Sequence, residues 1–430
     1  MKKGLKIAVI GSGSTYTPEL INGFITRKEC LDIDSFYLMD IDQEKNAIVS
    51  GLAKRMLDAN GIAARLVVTD NLEETIDGAD YVLGQIRVGK LAARITDEKI
   101  PLKYGLLGQE TTGAGGFMKA LRTIPVIMQV AETIQKLAPN AWFINFSNPS
   151  GIVAEAVLNH TNVKMMGLCN GPINMIKHFK SLLPESVKNF DYDFVGLNHL
   201  CWITGVYADG REMLKELMGL KTDSQILKNI PKTEFPEELV NAIPGFPIGY
   251  LNYYYFREQS VKHCIEEEKT RGEVCMDIEK ELLELYKDEN LKEKPAVLDK
   301  RGGALYSEAA VSLIDAIEND KNEVHIVDVL NHGAYSFMDR KDVVEAKCLI
   351  NKSGATPLVL KDTTDPYITG LMKTVKTYEK LTVKAGIEGD YNAALTALMI
   401  HPLIGDYYKA KAVLDEMLQV NRQYLPQFYK

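Results

Sequence analysis

No apolar run in this 430-residue chain approaches the roughly 20 residues of a membrane-spanning helix. Positive charge is not in excess either. Fifty lysines and arginines stand against fifty-eight acids, a net −8 with histidine neutral, which argues against a general affinity for nucleic acid or anionic membrane. Cysteines are few and scattered, at 30, 169, 201, 264, 275 and 348. With no CxxC pair and no framework spacing among them, a reduced, cytoplasmic compartment is expected. Internal repeats, low-complexity segments and long Pro/Gly linkers are missing, so separately folding, loosely tethered parts are not expected. The basic start MKKGLK leads into an apolar run, as in a signal peptide, but the run stops after about four residues at Gly11 and Ser12 and reads as a buried strand.

What is present is ordinary globular material, 46% hydrophobic and 25% charged. Up to residue 170, short apolar strands alternate with helical patterns. KIAVI, SFYLMD, RLVVT, YVLGQI, AWFINF and KMMGL are the strands, and a helix of about 20 residues surrounds TIPVIMQVAETIQKL. Strands this apolar imply a parallel sheet covered on both faces, a Rossmann-like doubly wound α/β fold. Beyond residue 170 the pattern turns mixed. FVGLNHLCWITGVYADGRE reads as two strands around an Ala-Asp-Gly turn, and RGGALYSEAAVSLIDAI as a helix entered through a glycine pair. HIVDVLN and VVEAKCLI read as strands, before a largely helical end. The expected organisation is a nicotinamide-binding domain over 1–170, interlocked with an α+β substrate and oligomerisation domain over 171–430.

IAVIGSGSTYTP follows a strand and opens a helix, the setting of a dinucleotide loop. Gly11 permits a tight turn and Gly13 lets the backbone approach a pyrophosphate, with Ser14 and Thr15 continuing toward the helix N-terminus. Tyr16 replaces the usual third glycine. Asp40, ending the second strand, can accept from the adenosine ribose and would repel a 2′-phosphate, which favours NAD over NADP. Such a site suggests a dehydrogenase, but the His–Asp pair of malate and lactate dehydrogenases is absent: no histidine precedes His160.

Several segments point elsewhere: QIRVGKLAAR with Arg94, LGQETTGAGG with Glu110, INFSNPSG with Asn148, GLCN with Cys169 and GLNH with His199. With PIGYLNYYYF, TRGEV, RGGALYSEAA and SGATP they occur in the order found in glycoside hydrolase family 4, which the chain resembles from residue 6 to about 400. The resemblance implies glycoside cleavage with NAD and a divalent metal, usually manganese. It implies that Cys169 and His199 are the metal ligands, a combination that suits a borderline metal and leaves coordination positions open. Hydride transfer from sugar C3 to NAD, removal of the C2 proton, elimination of the aglycone, water addition and re-reduction then follow, so that the cofactor is not consumed. This is not the two-carboxylate route of most glycosidases.

The base matches Tyr250, with Tyr253, Tyr254 and Tyr255 close enough in sequence to compete. A phenol needs positive charge nearby to act near neutral pH, from the metal or Arg271. Arg94 and Asn148 match substrate contacts; an ion pair and a helix cap remain open for them. Glu110 is open between orienting water or metal and a surface role. After the cysteine, family members specific for 6-phospho-β-glucosides carry asparagine with proline close behind, and here stand Asn170, Gly171 and Pro172. The expected substrate is therefore a 6-phospho-β-glucoside such as phosphorylated cellobiose, with Arg94 and Arg271 as candidates for the phosphate. Residence in the cytoplasm beside a phosphotransferase uptake system follows, as a homodimer or homotetramer. The alternatives are a 6-phospho-α-glucosidase or unphosphorylated glycosidase of the same family, a 2-hydroxyacid dehydrogenase, or a non-catalytic sensor of NAD and sugar phosphate.

Overall fold

Alternate residues of the first strand, β1 (Leu5–Ile10), enter different cores, and this sets the architecture. Ile7 and Val9 pack with Phe36, Ile21, Phe24, Leu52 and Met56, whereas Ala8 and Ile10 pack with Val82, Phe143, Ile127, Val130 and Val157. A strand apolar at every position is thus buried on both faces, as a parallel sheet between helical layers requires. The computed structural model describes residues 4–218, 235–301, 306–360 and 365–429.

β2 (Ile33–Met39), β3 (Arg65–Thr69), β4 (Tyr81–Gly84), β5 (Trp142–Asn145) and β6 (Lys164–Gly167) join β1 in the parallel order β3-β2-β1-β4-β5-β6. The helices Thr17–Thr26 and Gln43–Ala59 cover one face, and Gly113–Leu137 and Ser150–His160 the other. The order reverses between β1 and β4, where open α/β sheets bind ligands beyond the strand C-termini.

The sheet does not stop at β6. β7 (Phe190–Leu197), β8 (Leu200–Ala208), β9 (Arg211–Glu212), β10 (Phe246–Pro247), β11 (Glu323–Leu330), β12 (Val343–Asn351) and β13 (Gly354–Pro357) extend it. The path continues β6-β11-β12-β7-β8-β10, antiparallel throughout, with β13 on β12 and β9 on β8. The β6–β11 junction rests on Asp328 beside Gly167, where a Cβ would lie 2.6 Å from the Asp328 carboxylate.

Two local expectations need amending, and a third lies partly outside the described residues. The GLNH segment holds a turn of its own, at Asn198–His199 between β7 and β8, in addition to the Asp209–Gly210 turn. The helix expected around TIPVIMQVAETIQKL begins earlier, at Gly113, because Gly115 and Gly116 let residues 109–112 fold back over its first turn. A Cβ there would lie 2.2 Å from the Gln109 carbonyl and 2.4 Å from that of Thr111. The Gly302–Gly303 pair lies outside the described residues; the helix after it runs Tyr306–Glu318. Among the described residues no helix is long and apolar enough to cross a membrane.

Candidate active site

The nucleotide loop is shaped by two close approaches. Gly11 has φ +88°, and a Cβ on it would lie 2.9 Å from the Gln85 carbonyl oxygen. The Gly13 N–H donates to Asp40 Oδ2 at 2.9 Å, and a Cβ on Gly13 would meet the same oxygen at 2.8 Å. Ser14 turns the chain, with its N–H on Gly11 O at 3.1 Å and its carbonyl accepting from Thr17. Thr15 is fully buried and its Oγ1 has no hydrogen-bond partner, while its carbonyl accepts from Tyr286 Oη at 2.7 Å. The helix starts at Thr17 with no side-chain cap; the Thr17 and Glu19 N–H groups go to the Ser14 and Tyr16 carbonyls, and Pro18 has none. Gly13→Ala is expected to weaken NAD⁺ binding about tenfold or more without unfolding the chain, because the added methyl must displace the Asp40 carboxylate. Quenching of protein fluorescence on NAD⁺ titration measures it; wild-type affinity would remove Gly13 and Asp40 from the cofactor site.

The loop opens into a cleft of about 990 Å³ that is also lined by Arg87, Arg94, Glu110, Lys119, Asn148, Asn170 and Tyr250. Glu110 is buried, not a surface carboxylate. It pairs with Arg87, with Arg94 Nη1 at 2.9 Å and with Lys119 Nζ at 2.8 Å. Burial alone would raise its pKa, but Arg87, Arg94 and Lys119 hold it well below the usual range. Burial and the neighbouring Arg87 bring Lys119 down to about 8. Arg94 also pairs with Glu98 at 2.7 Å, as the ion-pair reading has it, and lines the cleft as well. Asn148 does not cap the helix after it, whose N-cap is Pro149 with no side-chain cap. Its Oδ1 is buried without a hydrogen-bond partner.

Cys169 is the N-cap of the helix Asn170–Ser181, and its Sγ accepts from the Gly171 N–H at 3.4 Å. Burial, then the carboxylates of Glu345 and Asp328, push the thiol pKa well up. His199 stands at φ +65° in the β7–β8 turn, its ring stacked on Tyr250 with centroids 3.9 Å apart. Burial and Lys119 lower its pKa to about 3, which keeps the imidazole neutral. Tyr250 lies in the short helical turn Gly249–Leu251 and is the one tyrosine of its cluster on the cleft wall. Tyr253 packs behind it, Tyr254 faces His401, and Tyr255 Oη accepts from Trp202 Nε1 at 3.2 Å. Burial and Cys169 raise the Tyr250 phenol; a Thr111 hydrogen bond and Arg94 act in the lowering direction. Gly171 faces Ile248, whose Cδ1 would lie 2.6 Å from an added Cβ, so a larger residue here requires the Ile248 side chain to move.

Residues 6–185 match the model of the family 4 glycosyl hydrolases, and residues 194–404 that of the family's C-terminal domain. The chain belongs to family 4 of the glycosyl hydrolases. This family 4 chain is 43% identical over 438 residues to a Bacillus subtilis (strain 168) protein named "Probable 6-phospho-beta-glucosidase", covering 100% of this chain and 99% of that one. It is 38% identical over 439 residues to the 6-phospho-β-glucosidase of Escherichia coli (strain K12), covering 100% and 98%. The structure of the Thermotoga maritima 6-phospho-β-glucosidase with manganese, NAD⁺ and glucose 6-phosphate superimposes with a TM-score of 0.90 at 37% identity, over 98% of this chain and 99% of that one. The chain is therefore a glycosidase, with the doubly wound sheet and C-terminal extension of its family.

In this family 4 enzyme the donor set fits a divalent metal as a pair, not a cage. Among the described residues no three His, Cys, Asp or Glu side chains cluster to hold an ion. Neither Cys169 nor His199 lines the cleft itself; His199 stacks on Tyr250 and the Cys169 thiol acts on the same phenol, and a sulfur with a neutral imidazole suits manganese or zinc while leaving sites for substrate. The unpartnered Asn148 Oδ1 in the same cleft is an acceptor awaiting a donor. Arg271 is not brought to the cleft wall. It begins the helix Arg271–Tyr286 and donates through Nη2 to the Lys300 and Arg301 carbonyls at 3.0 and 2.9 Å. The cation beside Tyr250 is Arg94 instead. Sequence reasoning passed over Arg87 and Lys119. Arg87 lies within the QIRVGKLAAR segment and Lys119 nine residues after Glu110, and only the fold brings both onto that carboxylate.

Proposed function

We propose that the chain hydrolyses 6-phospho-β-glucosides, such as cellobiose 6-phosphate, to glucose 6-phosphate and an aglycone, using NAD and a divalent metal, manganese first. The observation that carries this reading is that the dinucleotide loop and Tyr250, stacked on His199, share one cleft of about 990 Å³. When bound, NAD⁺ accepts and later returns a hydride, and the divalent metal acts as a Lewis acid.

The chain's own residues do the rest. Gly11, Gly13, Ser14, Thr15 and Asp40 hold the cofactor, and Cys169 and His199 hold the metal. Tyr250 takes the proton from C2 of the oxidised sugar, and its phenol is aided by the Thr111 hydrogen bond and the Arg94 charge. Asn148 orients sugar hydroxyls through its free Oδ1. Asn170, at the first position of its helix, lines the cleft and cannot itself donate a proton as an acid, so water or another residue serves the leaving group. Arg94, with Arg87 and Lys119 around Glu110, gives the 6-phosphate a cationic wall, and Arg271 reaches the phosphate only if its hold on the 300–301 carbonyls is released. A homodimer or homotetramer in the cytoplasm, supplied by phosphorylating uptake, belongs to the same reading.

The test is p-nitrophenol release from the α- and β-glucosides, each with and without a 6-phosphate, in the presence of NAD⁺, manganese and reductant. Cleavage is expected for the phosphorylated β-glucoside alone, and is lost when NAD⁺ or the metal is withheld. Cleavage of a different member of the panel overturns the reading of Asn170; stoichiometric accumulation of NADH without cleavage overturns the hydrolase.

A further inference from the structure

Asn198 adjoins one of the two proposed metal-binding side chains without being a ligand itself. It precedes His199 in the two-residue turn between β7 and β8. Its Oδ1 accepts from the Gly151 N–H at 3.4 Å, and its Nδ2 donates to Glu345 Oε1 at 3.3 Å. The same side chain acts on the Cys169 thiol in the direction that lowers its pKa, against the effect of burial. An asparagine amide carries two N–H donors and one carbonyl acceptor, so beyond the Gly151 and Glu345 bonds it keeps a second N–H that can act on the Cys169 thiol.

The partners of Asn198 are themselves fixed. Glu345 is buried in β12, opposite Gly196 of β7 and Asp328 of β11. Asp328 Oδ2 in turn accepts from Ser150 Oγ at 2.6 Å, and Ser150 adjoins Gly151. Ser150, Gly151, Asn198, Glu345 and Asp328 thus link the helix after Asn148, the turn carrying His199 and the strand pair under Cys169. Gly151 leaves just enough room: a Cβ there would lie 3.0 Å from the Asn198 Cβ.

We propose that Asn198 is a positioning residue that sets the spacing and aim of Cys169 and His199, with its amide held by Glu345 and by the N-terminus of the helix Ser150–His160. This rests on the reading of Cys169 and His199 as metal ligands. Outer partners of this kind orient the ligating atoms, and their loss costs about 10–100-fold in metal affinity. Asn198→Ala removes every contact. Asn198→Asp keeps an acceptor for Gly151 but loses both donors. Gly151→Ala displaces Asn198 while deleting no hydrogen-bonding group, and alanine favours the helix, so that variant folds.

The experiment titrates Mn²⁺ into the full chain, counts free ion by electron paramagnetic resonance, and measures NAD⁺ affinity separately, with Cys169→Ser as reference. Both Asn198 variants are expected to weaken Mn²⁺ binding 10–100-fold and Gly151→Ala severalfold, with NAD⁺ affinity unchanged. A purely structural role would move NAD⁺ affinity and thermal stability together with the metal. Wild-type Mn²⁺ affinity in folded Asn198→Ala or in Gly151→Ala, while Cys169→Ser is defective, overturns the positioning role alone. Undiminished Mn²⁺ binding in Cys169→Ser overturns the ligand assignment, and the positioning role with it.

Discussion

Cys169→Ser is expected to lower kcat/KM for a phosphorylated β-glucoside at least about a thousandfold while leaving NAD⁺ affinity at the wild-type value. The size follows from what a Lewis acid contributes, several kcal/mol of transition-state charge stabilisation, where about 4 kcal/mol is a thousandfold in rate. Only two protein side chains are assigned to the metal, so losing one leaves a single ligand. The variant separates this from damage to the fold. Serine has nearly the shape of cysteine, and its oxygen is the better acceptor for the Gly171 N–H that Cys169 Sγ now receives at 3.4 Å, so the helix Asn170–Ser181 keeps its cap. The nucleotide loop hangs from β1, with β4 and β5 between it and β6. What serine cannot supply is a thiolate-like donor. Steady-state kinetics, Mn²⁺ titration and NAD⁺ titration on the same preparation check the result. Full turnover at ordinary manganese would take the sulfur out of the site.

Tyr250→Phe should reduce kcat by about 10² to 10⁴, the usual contribution of a positioned proton acceptor. Phenylalanine retains the ring that stacks on His199 at 3.9 Å and packs toward Tyr253, so metal, NAD⁺ and substrate affinities stay near wild type. The loss then belongs to the hydroxyl. Tyr253→Phe is the matched control: its ring lies behind Tyr250, off the cleft wall, and its effect should be small. A second signature is chemical. The wild-type enzyme should exchange the C2 proton of glucose 6-phosphate with deuterated solvent in the presence of NAD⁺ and manganese, and Tyr250→Phe should not. Exchange that persists in the variant assigns the base to another group. The buried phenol has a raised pKa, so its environment must work for it. The Thr111 hydrogen bond and the Arg94 charge are the groups already in place to do so.

Much of this site could be read from short stretches of chain. A glycine turn after an apolar strand, a carboxylate closing the next strand and a cysteine between a strand and a helix are local patterns, because backbone geometry and side-chain burial repeat with a fixed period along each element. The choice of Asn170 and of the GLCN and GLNH segments likewise needed no coordinates. The same local logic found the helix around TIPVIMQVAETIQKL but set its start a few residues late. Its start depends on the Gly115 and Gly116 backbones meeting Gln109 and Thr111, a contact with no period.

Other decisions belonged to the tertiary structure. Four tyrosines in six residues are equivalent in sequence, and only packing against His199, Trp202 and His401 sends Tyr250 alone to the cleft. Arg271 looked like a phosphate contact, yet its guanidinium is taken up by carbonyls 29 and 30 residues away. Arg87 and Lys119 became visible only once both stood on Glu110. The sequence by itself determined the elements, the family and most of the chemistry-bearing residue types, since those depend on neighbours within a few positions. The continuous sheet, the cationic wall and the tie from Asn198 to Glu345 were decided by the fold. They join residues far apart in the chain, Asn198 and Glu345 being 147 positions apart, and what selects such partners is shape and burial, which no local pattern records.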